Sequence, residues 1–265
     1  MTGAGRPGHP AGPVPRPALE IAVTSPEGAR VALAHGADRV ELCTGLELGG
    51  LTPSAALVEA VAAVGIPVHV LVRCRPGDFV YDDEETALMV SEVRSVIASG
   101  ASGVVIGALT AAGGLDTTAV DRLAASAHDA DRAVEVTLHR AIDLSADPVA
   151  TAALLPALGL TRVLTSGGAP TAGQGLERLA AMVDVASGVQ VMAGGGLRPT
   201  DIPALAAAGV AAVHLSAKRR AEPRRGAAWI PLGASSASAE QDTHFVTDPA
   251  VVAEARRTLE SRTTG

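Results

Sequence analysis

The chain alternates between short runs rich in β-branched residues and longer Ala/Leu-rich segments whose apolar positions recur with helical spacing. Most of the β-rich runs follow a glycine-containing turn, and their side chains alternate between two faces. These runs predict eight strands, over residues 19–23, 38–43, 67–73, 103–107, 133–139, 162–166, 189–193 and 212–216. Helical segments between consecutive strands imply parallel pairing through right-handed crossovers.

Several helix starts are marked by a capping side chain directly before a proline, which needs no donor at the first helical position. These pairs are Ser25-Pro26, Thr52-Pro53, Asp147-Pro148 and Asp248-Pro249. Eight strand–helix units predict a single-domain (β/α)8 TIM barrel over residues 18–265. A doubly wound open sheet is the alternative, but V-T-S-P-E follows the first strand where that fold has a glycine-rich loop.

Charge and cysteine content narrow the function classes. The 265 residues carry a formal net charge of −7 and no broad basic surface, which argues against binding nucleic acid or an anionic membrane. Two cysteines make no disulfide framework and indicate a reducing compartment, the cytoplasm. Residues 1–17 are rich in Pro and Gly and predict a disordered tail, while the polar segment 218–247 predicts a long functional or mobile loop.

Charged side chains cluster at the predicted C-terminal strand ends, which meet at one mouth of a barrel. The catalytic candidates there are Glu41, Arg73, Asp78, His139 and Arg140. Because an unpaired buried carboxylate is costly, we expect Glu20 and Glu41 to have arginine partners. The candidate partners are Arg73, Arg75 and Arg140. Glu41 forms a structural ion pair or acts in catalysis, and His139 is a general base, a metal ligand or a satisfied core histidine.

Glycine-rich turns after the late strands are typical of anion-binding loops, because backbone N–H groups can approach an anion closely there. We expect a phosphate or carboxylate site built from Thr165, Ser166, Gly167, Gly194, Gly195 and Ser216. Tight turns also use glycine for steric reasons, which is the alternative interpretation. Arg75 and Asp78 are expected beside this mouth, with Phe79 and Tyr81 shaping its rim.

The chain has two cysteines, Cys43 and Cys74, whose thiols are its candidate soft metal ligands. A Cu(I) or Zn site would need them close together, helped by His69 or a methionine. No C-x-x-C or H-x-x-x-H spacing is present, and strand parity places Cys74 on the face opposite to Arg73. A free cysteine is otherwise a small buried hydrophobic residue.

Several motifs in order resemble the copper homeostasis protein CutC family over about residues 18–262. They include G-A-D-R-V-E-L-C (36–43), R-x-R-x-G-D-F (73–79), T-L-H-R-A-I-D (137–143), R-V-L-T-S-G (162–167), V-M-A-G-G-G (191–196) and V-H-L-S-A (213–217). The resemblance implies a cytoplasmic TIM barrel that binds copper, acts in copper homeostasis and forms a homo-oligomer, a dimer or a tetramer.

Departures from the family pattern leave two hypotheses open. Some members have a second cysteine where this chain has Ala22, and Cys74 replaces a usual proline. The first hypothesis is a Cu(I)-binding protein that uses Cys43 and Cys74. The second is a TIM-barrel enzyme acting on a small anionic or phosphorylated metabolite at the barrel mouth, where Glu41 or His139 moves protons and arginines hold negative charge.

Overall fold

The computed structural model describes residues 16–222 and 244–261. Eight parallel strands close into a barrel in sequence order, which confirms the predicted (β/α)8 TIM barrel and excludes the doubly wound sheet. The strands are Ala18–Val23 (β1), Arg39–Leu42 (β2), Val68–Leu71 (β3), Gly103–Ile106 (β4), Glu135–Leu138 (β5), Arg162–Thr165 (β6), Gln190–Gly194 (β7) and Ala212–Leu215 (β8). All eight fall on the predicted runs.

Helices alternate with these strands along the chain. They are Pro26–Ala34 (α1), Ala55–Ala62 (α2), Asp83–Ala98 (α3), Thr117–Ala130 (α4), Pro148–Ala152 (α5), Leu176–Val185 (α6), Ile202–Ala207 (α7) and Pro249–Glu260 (α8). Short 3-10 helices span Leu46–Leu48, Arg140–Leu144, Leu155–Leu158 and Pro199–Asp201. Within the described ranges, no helix has the length and apolar content needed to cross a membrane.

Two sequence predictions fall mainly outside the described residues. The tail over 1–17 is described only from residue 16, where the Arg16 guanidinium pairs with Asp38 at 3.0 Å. The segment 218–247 is described only at its two ends. Lys218–Arg220 (β9) and Phe245–Thr247 (β10) pair there as a small antiparallel sheet beside the barrel.

The capping pairs predict three helix starts correctly and one wrongly. Ser25, Asp147 and Asp248 each accept a backbone N–H at the start of their helix. Helix α2 instead begins after Ser54, whose hydroxyl is the cap. The Thr52 hydroxyl has another role, because it accepts the Arg73 backbone N–H at 2.8 Å and donates to Glu92 at 2.8 Å. Thr52 therefore anchors the chain after β3 rather than a helix.

The apolar residues form one large core and two small clusters. The large core includes buried residues of both strands and helices, whereas the small clusters draw mainly on alternate strand positions. The small clusters contain Cys43, Leu71 and Val105, and Leu164, Met192 and Ala212. Buried charged side chains lie between the two small clusters in the barrel interior.

A buried ionic network crosses the barrel interior and is centred on Glu20. The Glu20 carboxylate, with no exposed surface, pairs with Arg39 and accepts a hydrogen bond from His214 Nδ1 at 2.8 Å. We had expected Arg73, Arg75 or Arg140 as its partner, and that prediction is wrong. The strand register explains the difference, because it sets Glu20 directly beside Arg39 on β2 and beside His214 on β8.

The network continues towards the opposite wall through His69. Its Nε2 lies 3.3 Å from a Glu135 oxygen, which also accepts a hydrogen bond from Arg162 Nη2 at 2.9 Å. The Arg162 guanidinium is almost fully buried and donates in addition to Gln190 and Thr137. Such a group stabilises the fold only while its partners remain, because each buried charge would otherwise be uncompensated.

We expect Arg162→Met to lower the free energy of unfolding by about 1–3 kcal/mol, because the hydrogen bonds to Thr137 and Gln190 are lost, while Glu135, with 42% of its side chain exposed, keeps His69 and water as partners. Urea denaturation at pH 7 measures this change. Arg30→Met is the matched control, because Arg30 pairs with Glu27 on the exposed surface of α1. It should shift stability by less than about 1 kcal/mol. Equal stability of the two variants would contradict a structural role for the network.

Candidate functional site

A cavity of about 130 Å³ lies at the mouth formed by the C-terminal ends of the strands. Its polar lining is Glu41, Arg73, His139, Arg140, His214 and Ser216. Its apolar lining is Ala22, Leu46, Leu71, Phe79 and Leu164. The fold therefore brings four of the five catalytic candidates to one cavity, where active sites of this fold lie.

Glu41 is the acidic group of the cavity. It is 7% exposed, and its Oε2 atom has no hydrogen-bond partner in the described part of the chain. Burial raises the pKa of Glu41 to about 7, with the negative charge of Glu20 adding to the rise and His214 opposing it. Both protonation states are therefore populated near neutral pH, which suits a group that donates and accepts protons.

His214 connects Glu41 to the ionic network, and the catalytic candidates from the sequence did not include it. Burial alone would lower the pKa of this imidazole, but Glu41 and Glu20 together raise it above its ordinary value. The hydrogen bond to Glu20 fixes the orientation of the ring. The contact between His214 and Glu20 depends on the register between β8 and β1, which sets the two residues side by side.

His139 begins the 3-10 helix Arg140–Leu144, and its Nδ1 accepts the Ala141 backbone N–H at 3.1 Å. The neutral ring therefore carries its proton on Nε2, a buried atom without a partner among the described residues. Burial and the charge of Arg73 lower the pKa of His139 to about 3. At neutral pH this side chain is a hydrogen-bond donor, and its partnerless Nε2 differs from the satisfied core histidine that was one of the three sequence interpretations.

Arg73 holds the loops of the mouth in place. Its guanidinium donates to the backbone carbonyls of Leu48 at 3.0 Å, Gly50 at 3.1 Å and Gly77 at 2.7 Å. It also lies over the Phe79 ring, 4.9 Å from the centroid. Both terminal nitrogens thus donate to the protein, whereas the buried Nε atom has no partner among the described residues, and the contribution of Arg73 to the cavity is mainly positive charge.

Arg140 is the more accessible arginine, with 43% of its side chain exposed. Its Nε donates to Asp143 at 2.7 Å and its Nη2 to Ser166 at 3.1 Å. A Cβ atom at Gly195 would lie 2.6 Å from the Arg140 Cζ, so glycine is needed where the guanidinium rests on the backbone. Within the described part of the chain, Nη1 is the terminal nitrogen of Arg140 left to donate to a ligand.

The anion-binding loop predicted after β6 holds an anion of the protein itself. The Asp143 carboxylate accepts hydrogen bonds from the Thr165 hydroxyl at 2.6 Å and from the Ser166 backbone N–H at 3.0 Å. The Ser166 hydroxyl and the Gly168 backbone N–H also donate to it, each at 3.0 Å. Gly167 N–H donates to the Thr165 hydroxyl. These groups therefore orient Asp143, which in turn orients Arg140.

The remaining predicted anion-site residues have separate places. Ser216 lines the cavity. At Gly194, a Cβ atom would lie 2.5 Å from Leu164 and 3.0 Å from the His214 Cβ, so this glycine gives space to the interior wall.

Arg75, Asp78 and Tyr81, in the turn after β3, lie outside the cavity lining. The Asp78 carboxylate is exposed and pairs with Arg75 at 3.2 Å, and it caps the Val80 backbone N–H. Arg75 also pairs with Glu85 and lies 5.0 Å from the centroid of the Tyr81 ring. Phe79 does line the cavity, with its ring 4.7 Å from that of His139. The structure thus separates Asp78 from the other catalytic candidates.

The two cysteines are not brought together in one metal-binding cluster. Cys43 packs with Leu71 and Val105 inside the barrel, whereas Cys74 packs against the larger core. Burial, followed by the charges of Glu41 and Glu47, raises the pKa of the Cys43 thiol and disfavours the thiolate that binds metals. This donor set does not fit Cu(I), which prefers several soft ligands.

Among the described residues, Glu20, Glu41 and His214 are the group close enough to share a metal ion, with ligand atoms within 4.8 Å of one another. Carboxylate and imidazole ligands suit harder cations than Cu(I). Both Glu20 oxygens already have protein partners, Arg39 and His214.

We expect Glu41→Gln to stabilise the protein increasingly as pH rises. The folded pKa of about 7 lies above the ordinary value of 4.5, so Glu41 costs no stability below pH 4.5 and progressively more between pH 4.5 and 7. The variant should gain up to about 3 kcal/mol at pH 8 and almost nothing at pH 4.5. Urea denaturation at both pH values checks this, with the exposed Glu59→Gln as control. A gain that is independent of pH would contradict it.

Comparison with known proteins agrees with the fold and identifies a family. The family model of the CutC family matches residues 18–219. The solved structure of a protein provisionally named copper homeostasis protein CutC, from Streptococcus agalactiae, is 26% identical, with a TM-score of 0.67 over 75% of this chain and 98% of that one. A thiamine phosphate pyrophosphorylase from Pyrococcus furiosus, 15% identical with a TM-score of 0.56 over 94% of this chain and 97% of that one, shares the fold alone. The chain belongs to the CutC family.

Proposed function

We propose that this protein is an acid–base enzyme that acts on a small anionic metabolite at the barrel mouth. The observation that carries the proposal is Glu41, a buried carboxylate with a pKa of about 7 and a partnerless oxygen in a cavity. Arg140 adds a donor and a positive charge beside it. Ionisable groups with shifted pKa values in a cleft are typical of catalytic sites.

The charge of the cavity supports an anionic ligand. Arg73 and Arg140 both line it, and the neutral His139 does not oppose them. The apolar side chains of Leu46, Leu71 and Leu164 would contact the carbon skeleton. A ligand with a carboxylate or phosphate at one end and carbon at the other matches this division.

We expect one or more small anions to raise the melting temperature of the wild-type protein. A ligand at about 100-fold above its Kd contributes about 2.7 kcal/mol, equivalent to roughly 5 °C or more for a domain of this size. The probes are inorganic phosphate, pyruvate, 2-oxobutyrate and glycerol 3-phosphate. Arg140→Gln should abolish the shift, because it removes the accessible guanidinium.

Arg75→Gln is the matched control for this experiment. Arg75 belongs to the same mouth, but its guanidinium is engaged with Glu85 and Asp78 outside the cavity lining. This variant should keep the wild-type shift. If no probe shifts the wild-type protein, or if the two variants respond alike, the proposed site is wrong.

Copper binding is the function that family membership favours, and Cys43 is the thiol that it would use. Because Cys74 packs in a different cluster, we expect wild type, Cys43→Ala and Cys74→Ala to bind Cu(I) with the same weak affinity. Anaerobic competition with a chromogenic Cu(I) chelator measures it. Tight one-to-one binding that Cys43→Ala abolishes would instead favour a copper protein.

A cytoplasmic location and a homo-oligomeric state, a dimer or a tetramer, belong to the same proposal. Both cysteines are free thiols, which supports a reducing compartment. The oligomeric state rests on the family resemblance alone.

A further inference from the structure

His139 is held in one orientation inside the cavity. Its ring packs 4.7 Å from the Phe79 ring, and a Cβ atom at Gly107 would lie 2.5 Å from its Cε1. The hydrogen bond from the Ala141 backbone fixes Nδ1 on the side of the 3-10 helix. The imidazole therefore cannot turn to satisfy Nε2 elsewhere without breaking these contacts.

The Nε2–H group is a donor without an acceptor. It is buried, and no described residue accepts its hydrogen bond. A buried polar group without a partner destabilises the folded protein, and such groups are rare in native structures. A ligand oxygen in the cavity would satisfy it. That oxygen must be an acceptor, because the hydrogen bond from the Ala141 N–H to Nδ1 keeps the ring proton on Nε2.

Glu41 lines the same cavity and can accept a proton there, whereas His139 donates a hydrogen bond. The Glu41 Oε2 atom is also buried and partnerless, and it takes up or releases a proton near pH 7. The cavity of about 130 Å³ is close to the roughly 150 Å³ that holds one benzene molecule. The part of a ligand that enters it, about six heavy atoms, thus meets a base and a neutral N–H donor together.

We propose, building on the acid–base function above, that the substrate is a small carboxylate or phosphate ester with an enolisable carbonyl group. Glu41 removes a proton from the carbon next to the carbonyl, and His139 Nε2–H donates to the carbonyl oxygen. The electron pair of the broken C–H bond forms the C=C bond of an enolate, and the carbonyl π pair moves to oxygen. Return of the proton from Glu41 to carbon completes the cycle, so no oxidant or reductant is consumed.

An N–H donor aimed at an oxygen that gains negative charge is an effective way to stabilise an enolate. The neutral state of His139 fits this task, because the donor acts without transferring its own proton. Arg140 would hold the anionic end of the substrate through Nη1. Each group then has one role, and each role uses the atom that the protein leaves without a partner.

Exchange of carbon-bound hydrogen in D₂O, followed by proton NMR, tests the proposal with pyruvate, 2-oxobutyrate and dihydroxyacetone phosphate as probes. Wild type should exchange at least one probe faster than the buffer does. His139→Asn keeps an acceptor for the Ala141 N–H but cannot reach the Nε2 position, and it should slow exchange about 10²–10³-fold. His139→Gln restores an N–H near that position and should recover most of the rate. Glu41→Gln should leave only the buffer rate.

Binding of the same probes, measured by thermal shift, separates the two proposals. Binding to wild type without exchange would overturn the enolisation chemistry and leave the anion site intact. No binding of any probe would overturn both. Exchange by His139→Asn at the wild-type rate would remove His139 from the mechanism. His128→Asn, on the exposed surface of α4, is the matched control and should behave as wild type.

Discussion

The ion pair between Glu20 and Arg39 lies at the centre of the barrel, and the chemistry of the mouth depends on it. Burial would raise the pKa of Glu20, but the hydrogen bond from His214 and the charge of Arg39 hold it well below its usual range. Glu20 therefore remains negative at all ordinary pH values. Burial raises the pKa of Glu41, in the layer of side chains nearer the mouth, and the fixed charge of Glu20 adds to the rise.

The barrel interior thus divides into a satisfied region and an unsatisfied one. Towards the N-terminal ends of the strands, Arg162, Glu135 and His69 have partners within hydrogen-bonding or ion-pairing distance. At the mouth, Glu41 and His139 keep atoms that no described residue contacts by a hydrogen bond. Because folded proteins pair nearly all buried polar groups, these unpaired atoms of residues that line one cavity support the ligand site proposed above.

Sequence patterns predicted the eight strands and the placement of Glu41 and His139 at the barrel mouth, because alternation within a strand and the position of a strand end are local properties. They could not predict the partner of Glu20, since that depends on the register between strands far apart in sequence. The anion bound by the glycine-rich loop after β6 could not be predicted for a related reason. The donors of this loop match an anion, as predicted, but the anion is the carboxylate of Asp143, which lies 22 residues before Thr165 and 25 before Gly168.

The side chains that converge at the mouth differ from those that a Cu(I) site requires. A Cu(I) site requires soft ligands that converge, yet Cys43 lies among apolar side chains and Cys74 belongs to another cluster. The groups that do converge at the mouth are carboxylate, imidazole and guanidinium, which exchange protons and bind anions. Strands and loops far apart in the chain each supply one of these groups. Glu41 and His139 therefore line one cavity, whereas the two cysteines belong to different clusters. The converging side chains therefore favour acid–base chemistry on an anion over storage of a soft metal ion.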